Sequence, residues 1–298
     1  MKAPGKLTSP SVIKALLDSL DHRPNKGLGQ NYLIDSNILG IIVAAAEISP
    51  NDQLLEVGPG LGALTQVLLT TGAKLIAVEK DQTMVAHLRE YFPALELIEK
   101  DVLDVDLNVL FSSPGEVTRP TEGVVVGRVT SPGASRWKIV ANLPYSAGSR
   151  FIVNALEAKP LPEKMVFMVQ REVADRLTAQ PGSKTFGPLA IWSQLNYAVK
   201  NIKNVSPTCF MPAPKVWSSV VRFEKRAAPL DDVQDYECFK KLIKLCFTQR
   251  RKQIGSNLRK NAPEFFQCLE TCGIDPAARP EQIAIERWVA LANAADSI

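Results

Sequence analysis

The sequence predicts an α/β fold of the doubly wound class, a parallel sheet wrapped by helices, followed by a small all-α domain. Three observations carry this. Short apolar runs alternate with segments of 3.6-residue periodicity between residues 53 and 169. Runs such as Leu75-Ile76-Ala77-Val78 lack polar alternation, as strands buried on both faces do. Beyond about Ser206 the alternation ends and only helical periodicity remains.

In chain order, residues 1–25 contain Pro4, Gly5, Pro10 and Pro24 and one short helical pattern, Ser11–Leu20, so they are expected to form an arm rather than a core element. Ile38–Glu47 is helix-like and closes on the turn signal Ser49-Pro50-Asn51-Asp52. Gln53–Val57 is a strand, Leu61–Thr71 a helix, Lys74–Glu79 a strand, Gln82–Tyr91 a helix and Leu95–Glu99 a strand. After a break come the strand Trp137–Ala141, the helix Ser149–Glu157 and the strand Lys164–Val169. Within that break, at 112–136, eleven of 25 residues are Gly, Pro or Ser, which marks a long surface insertion. Helices are then expected over Lys240–Phe247, Gln253–Arg259, Pro263–Cys272 and Glu281–Ala295. The expected division is an arm at 1–25, an α/β domain at 26–224 and a helical domain at 225–298.

Composition narrows the function. At 46% hydrophobic and 22% charged, the 298 residues are ordinary for a globular chain and exclude a disordered or collagen-like one. The longest apolar run, Ile38 to Ala46, is far short of the roughly 20 residues of a membrane span. No apolar segment follows the first lysines, so no secretory signal is expected and a cytoplasmic location is. Five scattered cysteines and two histidines point to reduced thiols and no metal site, with Cys268 and Cys272 as core residues. Charge is uneven: residues 1–34 carry a net +3, 224–260 a net +5 and 261–298 a net −4, which leaves 35–223 neutral. A neutral body flanked by basic segments suits a polyanionic partner.

The chemistry sits at strand ends. The first strand runs into Gly58-Pro59-Gly60-Leu61-Gly62, where glycines permit a sharp turn and close approach of a ligand. The spacing is G-x-G-x-G, not the dinucleotide fingerprint G-x-G-x-x-G. Glu79 ends the second strand, where a carboxylate can accept from both ribose hydroxyls. Asp101 follows the third, where it can accept from an exocyclic adenine amine. Together these describe an adenosine-containing cofactor, with NAD and S-adenosylmethionine both still open. The fourth strand end decides, because Asn142-Leu143-Pro144-Tyr145 suits methylation of an amine and has no use in a dehydrogenase. The N6 lone pair of adenine is delocalised into the ring. The Asn142 side-chain carbonyl and the Leu143 main-chain carbonyl would accept its two hydrogens and aim the lone pair at a methyl group. Pro144 fixes the backbone and donates no competing N–H, and Tyr145 offers a ring for the base to stack on. No general base is required, which fits the distance of His22 and His87 from these motifs.

These motifs resemble the ribosomal RNA adenine N6,N6-dimethyltransferases that modify small-subunit RNA, over roughly residues 23–290. Gly29-Gln30-Asn31-Tyr32-Leu33 resembles the family's Gly-Gln-Asn-Phe-Leu segment. By that resemblance Asn31 and Leu33 join Gly58, Gly60, Glu79, Asp101 and Asn142 in holding S-adenosylmethionine. Phe210-Met211-Pro212-Ala213-Pro214-Lys215-Val216 followed by Ser218-Ser219-Val220-Val221 is similar to the family's Phe-x-Pro-x-Pro-Lys-Val segment. Its Phe210 would face the target adenine opposite Tyr145. Phe247-Thr248-Gln249-Arg250-Arg251-Lys252-Gln253-Ile254 resembles the family's basic helix. Arg250, Arg251, Lys252, Arg259 and Lys260 would then meet RNA phosphates, while the target base is extruded into the pocket.

The resemblance thus implies a Rossmann-like, S-adenosylmethionine-dependent methyltransferase domain with a small all-α C-terminal domain. Its expected partner is small-subunit rRNA in a ribosomal particle, and the family is typically monomeric. Departures are Leu28 for an aromatic, Tyr32 for Phe, Ser146-Ala147-Gly148 for Asn-Ile-Ser, and the insertion at 112–136. Two competing readings are a large-subunit rRNA adenine methyltransferase, opposed by Leu143 and the long helical tail, and a non-catalytic assembly or transcription factor, opposed by the intact cofactor and base positions.

Overall fold

The computed structural model describes residues 5–24, 30–112 and 136–295. The insertion expected at 112–136, along with Leu28 and Gly29, therefore falls outside the described residues apart from its two end positions. The chain divides into two compact units, residues 1–171 with 201–223, and residues 172–200 with 224–298.

The first unit opens with helix α1 (Pro10–Ser19), strand β1 (Tyr32–Leu33) and helix α2 (Ser36–Ala46), the last capped by Asp35, which accepts from the Asn37 and Ile38 N–H groups. Then come β2 (Gln53–Val57), α3 (Ala63–Leu68), β3 (Lys74–Glu79), α4 (Gln82–Tyr91), β4 (Glu96–Glu99) and α5 (Leu107–Ser112). After the insertion follow β5 (Trp137–Asn142), α6 (Gly148–Glu157) and β6 (Lys164–Gln170). Helices α7 (Arg171–Leu177) and α8 (Pro188–Asn196) lead to β7 (Tyr197–Val205), β8 (Phe210–Met211) and β9 (Ser218–Lys225).

The main sheet has the order β4-β3-β2-β5-β6-β9-β7. β2 pairs in parallel with both β3 and β5, with Leu55 opposite Ile76 on one side and Ile139 on the other. Chain order reverses at β2, so the connections leaving β2 and β5 diverge and open a crevice at the carboxyl ends of the strands. Leu54, Ala77, Val140 and Val166 are fully buried, as strands covered on both faces require.

Two expectations are corrected here. The sheet does not stop near Ser206, because β9 continues it to Lys225. The N-terminal arm is also packed: Ile13 and Leu17 of α1 are buried against Tyr32, Leu61 and Met84. Helix α1 is amphipathic, and burying its apolar stripe outweighs the loop-like Pro/Gly content around it.

The second unit adds α9 (Tyr236–Thr248), α10 (Ile254–Asn261), α11 (Pro263–Gln267) and α12 (Ile285–Ala295). Its core joins Ala190, Ile191 and Leu195 of α8 to Phe239, Ile243 and Cys246 of α9, Leu258 of α10 and Trp288 of α12. Cys268 and Cys272 are buried in the same cluster as free thiols. No helix among the described residues is long and apolar enough to cross a membrane.

Candidate active site

A cavity in the first unit opens where β2, β3 and β5 end, walled by Gly58 and Gly60, Glu79, Asp101, Asn142 and Tyr145 among others. The three turn glycines all have positive φ. At Gly62 a Cβ would lie 2.4 Å from the Phe92 ring, so no side chain fits. At Gly60 a Cβ would stand 3.1 Å from the Tyr32 ring, so the bare backbone forms the cavity wall.

Glu79 closes β3 and is nearly buried. One carboxylate oxygen accepts from the Gly60 N–H at 3.1 Å, and the other from the Lys80 and Asp81 N–H groups at 2.9 and 3.0 Å. Burial pushes its pKa up while these three donors pull it down, with burial the larger effect. Asp101 accepts from the Leu103 N–H at 3.0 Å and pairs with the Lys80 ammonium at 3.2 Å. The Leu103 bond and the lysine hold it below the usual carboxylate range.

Asn142 is the last residue of β5, opposite Met168 of β6. Its amide NH2 donates to the Asn31 carbonyl at 3.3 Å. Only the nitrogen end of an amide can face a carbonyl, so the oxygen end is turned elsewhere. Among the described residues none donates to that oxygen or to the Leu143 carbonyl. The Leu143 N–H continues the ladder to the Met168 carbonyl at 3.1 Å, which fixes its peptide plane. The Tyr145 phenol lies 2.6 Å from the Ser218 hydroxyl.

Asn31 and Leu33 both line the cavity, the latter on β1, which pairs antiparallel with β8. Phe210 sits opposite Leu33 in that pair, 3% exposed and packed in the core, and is not part of the cavity wall. The structure thus brings together the four strand-end motifs and the Asn31–Leu33 segment, and sets Phe210 one residue layer behind them.

Sequence reasoning missed two groups. Glu56 of β2 lines the cavity at 1% exposure, takes the Thr65 hydroxyl at 2.7 Å, and has its pKa pushed up to about 8 by burial. The signal was a carboxylate inside an otherwise apolar strand. Gln30 lines the cavity as well, donates to Asp81 at 2.8 Å and lies 3.1 Å from the His22 ring nitrogen. His87 is buried, with Nε2 3.1 Å from the Leu61 carbonyl, and takes no part in the cavity.

The cavity suits the expected cofactor. Glu79 at the end of β3 and Asp101 after β4 offer acceptors to the hydroxyl and amino groups of an adenosine, and the glycine turn leaves room for close approach.

In the second unit Arg251, Lys252, Arg259 and Lys260 are exposed. Arg250 is half-buried, 3.6 Å from Glu281 and donating to the Ser183 carbonyl at 3.3 Å. Arg259 stacks on the Phe266 ring at 4.5 Å. The basic helix expected over Phe247–Ile254 is corrected: α9 ends at Thr248, and residues 249–252 form a turn closed by the Lys252 N–H on the Gln249 carbonyl at 2.8 Å. The end of α9 and the start of α10 meet there, so Arg251 and Lys252 stand exposed on a tight connection rather than along one helix. Among the described residues no His/Cys/Asp/Glu group could hold a metal ion.

Known proteins resemble the chain along most of its length. The family model described as ribosomal RNA adenine dimethylase matches residues 21–297. The ribosomal RNA small subunit methyltransferase A of Geobacter metallireducens is 36% identical over 281 residues, covering 91% of this chain and 95% of that protein. Its counterpart in Opitutus terrae is 37% identical, covering 95% and 97%. Among solved structures, a dimethyladenosine transferase from Plasmodium falciparum shares the fold with a TM-score of 0.66 at 22% identity, covering 87% of this chain and 95% of that one. The 23S rRNA methyltransferase ErmE does so with a TM-score of 0.64 at 26% identity, covering 89% and 99%. The chain belongs to the ribosomal RNA adenine dimethylase family.

Proposed function

We propose that this protein transfers methyl groups from S-adenosylmethionine to N6 of two adjacent adenines in a loop near the 3′ end of small-subunit ribosomal RNA, giving N6,N6-dimethyladenosine during ribosome biogenesis. The observation that carries this reading is the orientation of Asn142. With its NH2 committed to the Asn31 carbonyl, its oxygen is held as an acceptor at the end of β5, next to the Leu143 carbonyl. Two acceptors side by side match the two N–H hydrogens of an adenine amine. The substrate preference follows the small-subunit enzymes that the chain resembles along nearly its whole length.

S-adenosylmethionine, when bound, supplies an electrophilic methyl group on a positively charged sulfur. Glu79 and Asp101 hold the adenosine portion, with Asn31, Leu33, Gly58 and Gly60 shaping its seat. Asn142 and Leu143 draw the amine hydrogens aside so that the nitrogen lone pair points along the line of transfer, a positional contribution made before any bond changes. Pro144 keeps the backbone from offering an N–H at that spot. Tyr145, its phenol anchored to Ser218, presents its ring to the base, and Phe210, packed in the core and paired with Leu33 of the cavity wall, is proposed as the opposite face on condition that its ring turns from the core toward the base. The proton released by the alkylated amine passes to solvent, because the product ammonium is acidic and needs no positioned base. Arg250, Arg251, Lys252, Arg259 and Lys260 are proposed to meet RNA phosphates.

The test is incubation with labelled S-adenosylmethionine and separated, unmodified small and large ribosomal subunits, followed by mapping of the labelled base. Label on paired adenines of the small-subunit RNA is expected, and label confined to large subunits refutes the reading. Asn142→Ala is expected to lose most turnover while weakening cofactor binding far less. A parental rate in that variant removes the role given to Asn142.

A further inference from the structure

Among the described residues four large apolar side chains stand well exposed, and two of them, Val216 at 44% and Trp217 at 49%, are consecutive. Trp137 and Trp288 are buried and Trp192 is packed partly against the helical core, so Trp217 is the tryptophan left facing water. Leaving so large an aromatic surface hydrated is unfavourable for folding, and something other than the core accounts for it.

Its position supplies the reason. Ser218, the next residue, is fully buried and its hydroxyl lies 2.6 Å from the Tyr145 phenol. Successive side chains of an extended segment point to opposite faces, so Ser218 turned inward toward Tyr145 turns Trp217 outward. One Cα step of 3.8 Å then keeps the Trp217 backbone within about 9 Å of the Tyr145 hydroxyl. The segment is anchored, since the Trp217 carbonyl accepts from the Arg171 N–H at 2.9 Å. Lys215, two residues before Trp217, and Arg171, whose N–H meets the Trp217 carbonyl, are both exposed cationic residues of the same stretch of surface. An outward aromatic with cations beside it is the arrangement that binds single-stranded nucleic acid, where the ring takes a base face and the cations take the phosphates.

We propose that Trp217 is a stacking platform for the nucleotide next to the adenine being methylated, and so a positioning residue for the RNA rather than a catalytic one. The inference rests on the function proposed above. Extruding an adenine breaks its stacking on its neighbour, and a ring that takes the neighbour's freed face lowers that cost and opposes re-stacking. With two adjacent target adenines, the platform holds one while the other occupies the pocket.

Methyl transfer to unmodified small ribosomal subunits by the parent, Trp217→Ala and Trp217→Phe separates the possibilities. The alanine variant is expected to raise KM about five- to a hundredfold with a much smaller effect on kcat, and the phenylalanine variant to recover most of that loss. The salt dependence of binding stays as in the parent, because no charge is removed. An unchanged KM in Trp217→Ala, or a kcat loss that phenylalanine does not rescue, overturns the proposal. Tryptophan fluorescence gives a second readout without turnover. A short single-stranded RNA with two adjacent adenines is expected to quench the parent and not Trp217→Phe, and an abasic site beside the target is expected to abolish the quenching. Equal quenching in parent and Trp217→Phe also overturns it. Failure of the parent to methylate any subunit would instead sink the functional reading, while the fluorescence result speaks to the platform alone.

Discussion

Glu56 shows how one buried group couples the site to pH. Its folded pKa of about 8 lies well above the ordinary carboxylate value, so between about pH 5 and 8 the folded chain holds a proton that the unfolded chain has lost. The folded state binds more protons in that window, and its stability falls as pH rises through it. Glu56→Gln cannot ionise. The melting temperature of that variant is expected to decline less between pH 5 and 8 than the parent's, and parallel curves would show that Glu56 contributes nothing. Phe210→Leu tests the proposed aromatic face. Leucine keeps the site apolar, so stability should drop by less than about 1.5 kcal/mol while methyl transfer falls sharply. A proportionate loss of both would make Phe210 a packing residue only. Glu79, Asp101 and Asn142 were legible from sequence because each ends or follows an apolar strand, so its place at the carboxyl edge of the sheet follows from local pattern alone. Whether Phe210 faces the core or the cavity depends on the pairing of β1 with β8, which local pattern does not encode.

Among the elements, β2, β3, β5 and β6 declare themselves because central parallel strands are apolar on both faces. β7 does not. It is the edge of the sheet, and its middle, from Lys200 to Asn204, is exposed and largely polar, so its sequence resembles a loop. β9 begins with two buried serines, whose side chains bond Tyr145 and Asn204 rather than water, and this hides its apolar continuation. Helices α2 and α9 begin before the expected Ile38 and Lys240, because Asp35 and Asp235 each accept from two N–H groups of the first turn and start the helix ahead of its apolar periodicity. Replacing Asp235 by Ala is expected to cost about 1 kcal/mol in a urea titration, read as a lower midpoint at unchanged slope. An unchanged midpoint would mean that packing alone sets the start of α9.

For the whole molecule, the segmented charge was legible and the composition of the second unit was not. Residues 172–200 enter its core because α8 presents Ile191 and Leu195 to helices far along the chain, a meeting that depends on long-range packing. Arg251 and Lys252 stand exposed on a tight turn, where phosphates can reach them. Replacing Arg250, Arg251 and Lys252 together by Gln should weaken binding to small ribosomal subunits and flatten the dependence of affinity on salt, by roughly 0.7 in logarithmic slope for each phosphate left without its cation. An unchanged slope would remove this turn from the RNA interface.

The two-stranded pairing of Tyr32–Leu33 with Phe210–Met211 also sets an order of events in the growing chain. During translation the glycine turn, Glu79 and Asp101 emerge early and can assemble on the first four parallel strands as soon as β5 is made, whereas the segment bearing Asn31 has no strand to grip until residue 211 has left the ribosome. A nascent chain would hence form the strand-end part of the methyl donor's seat well before the clasp that brings Leu33 to it and steadies Asn142.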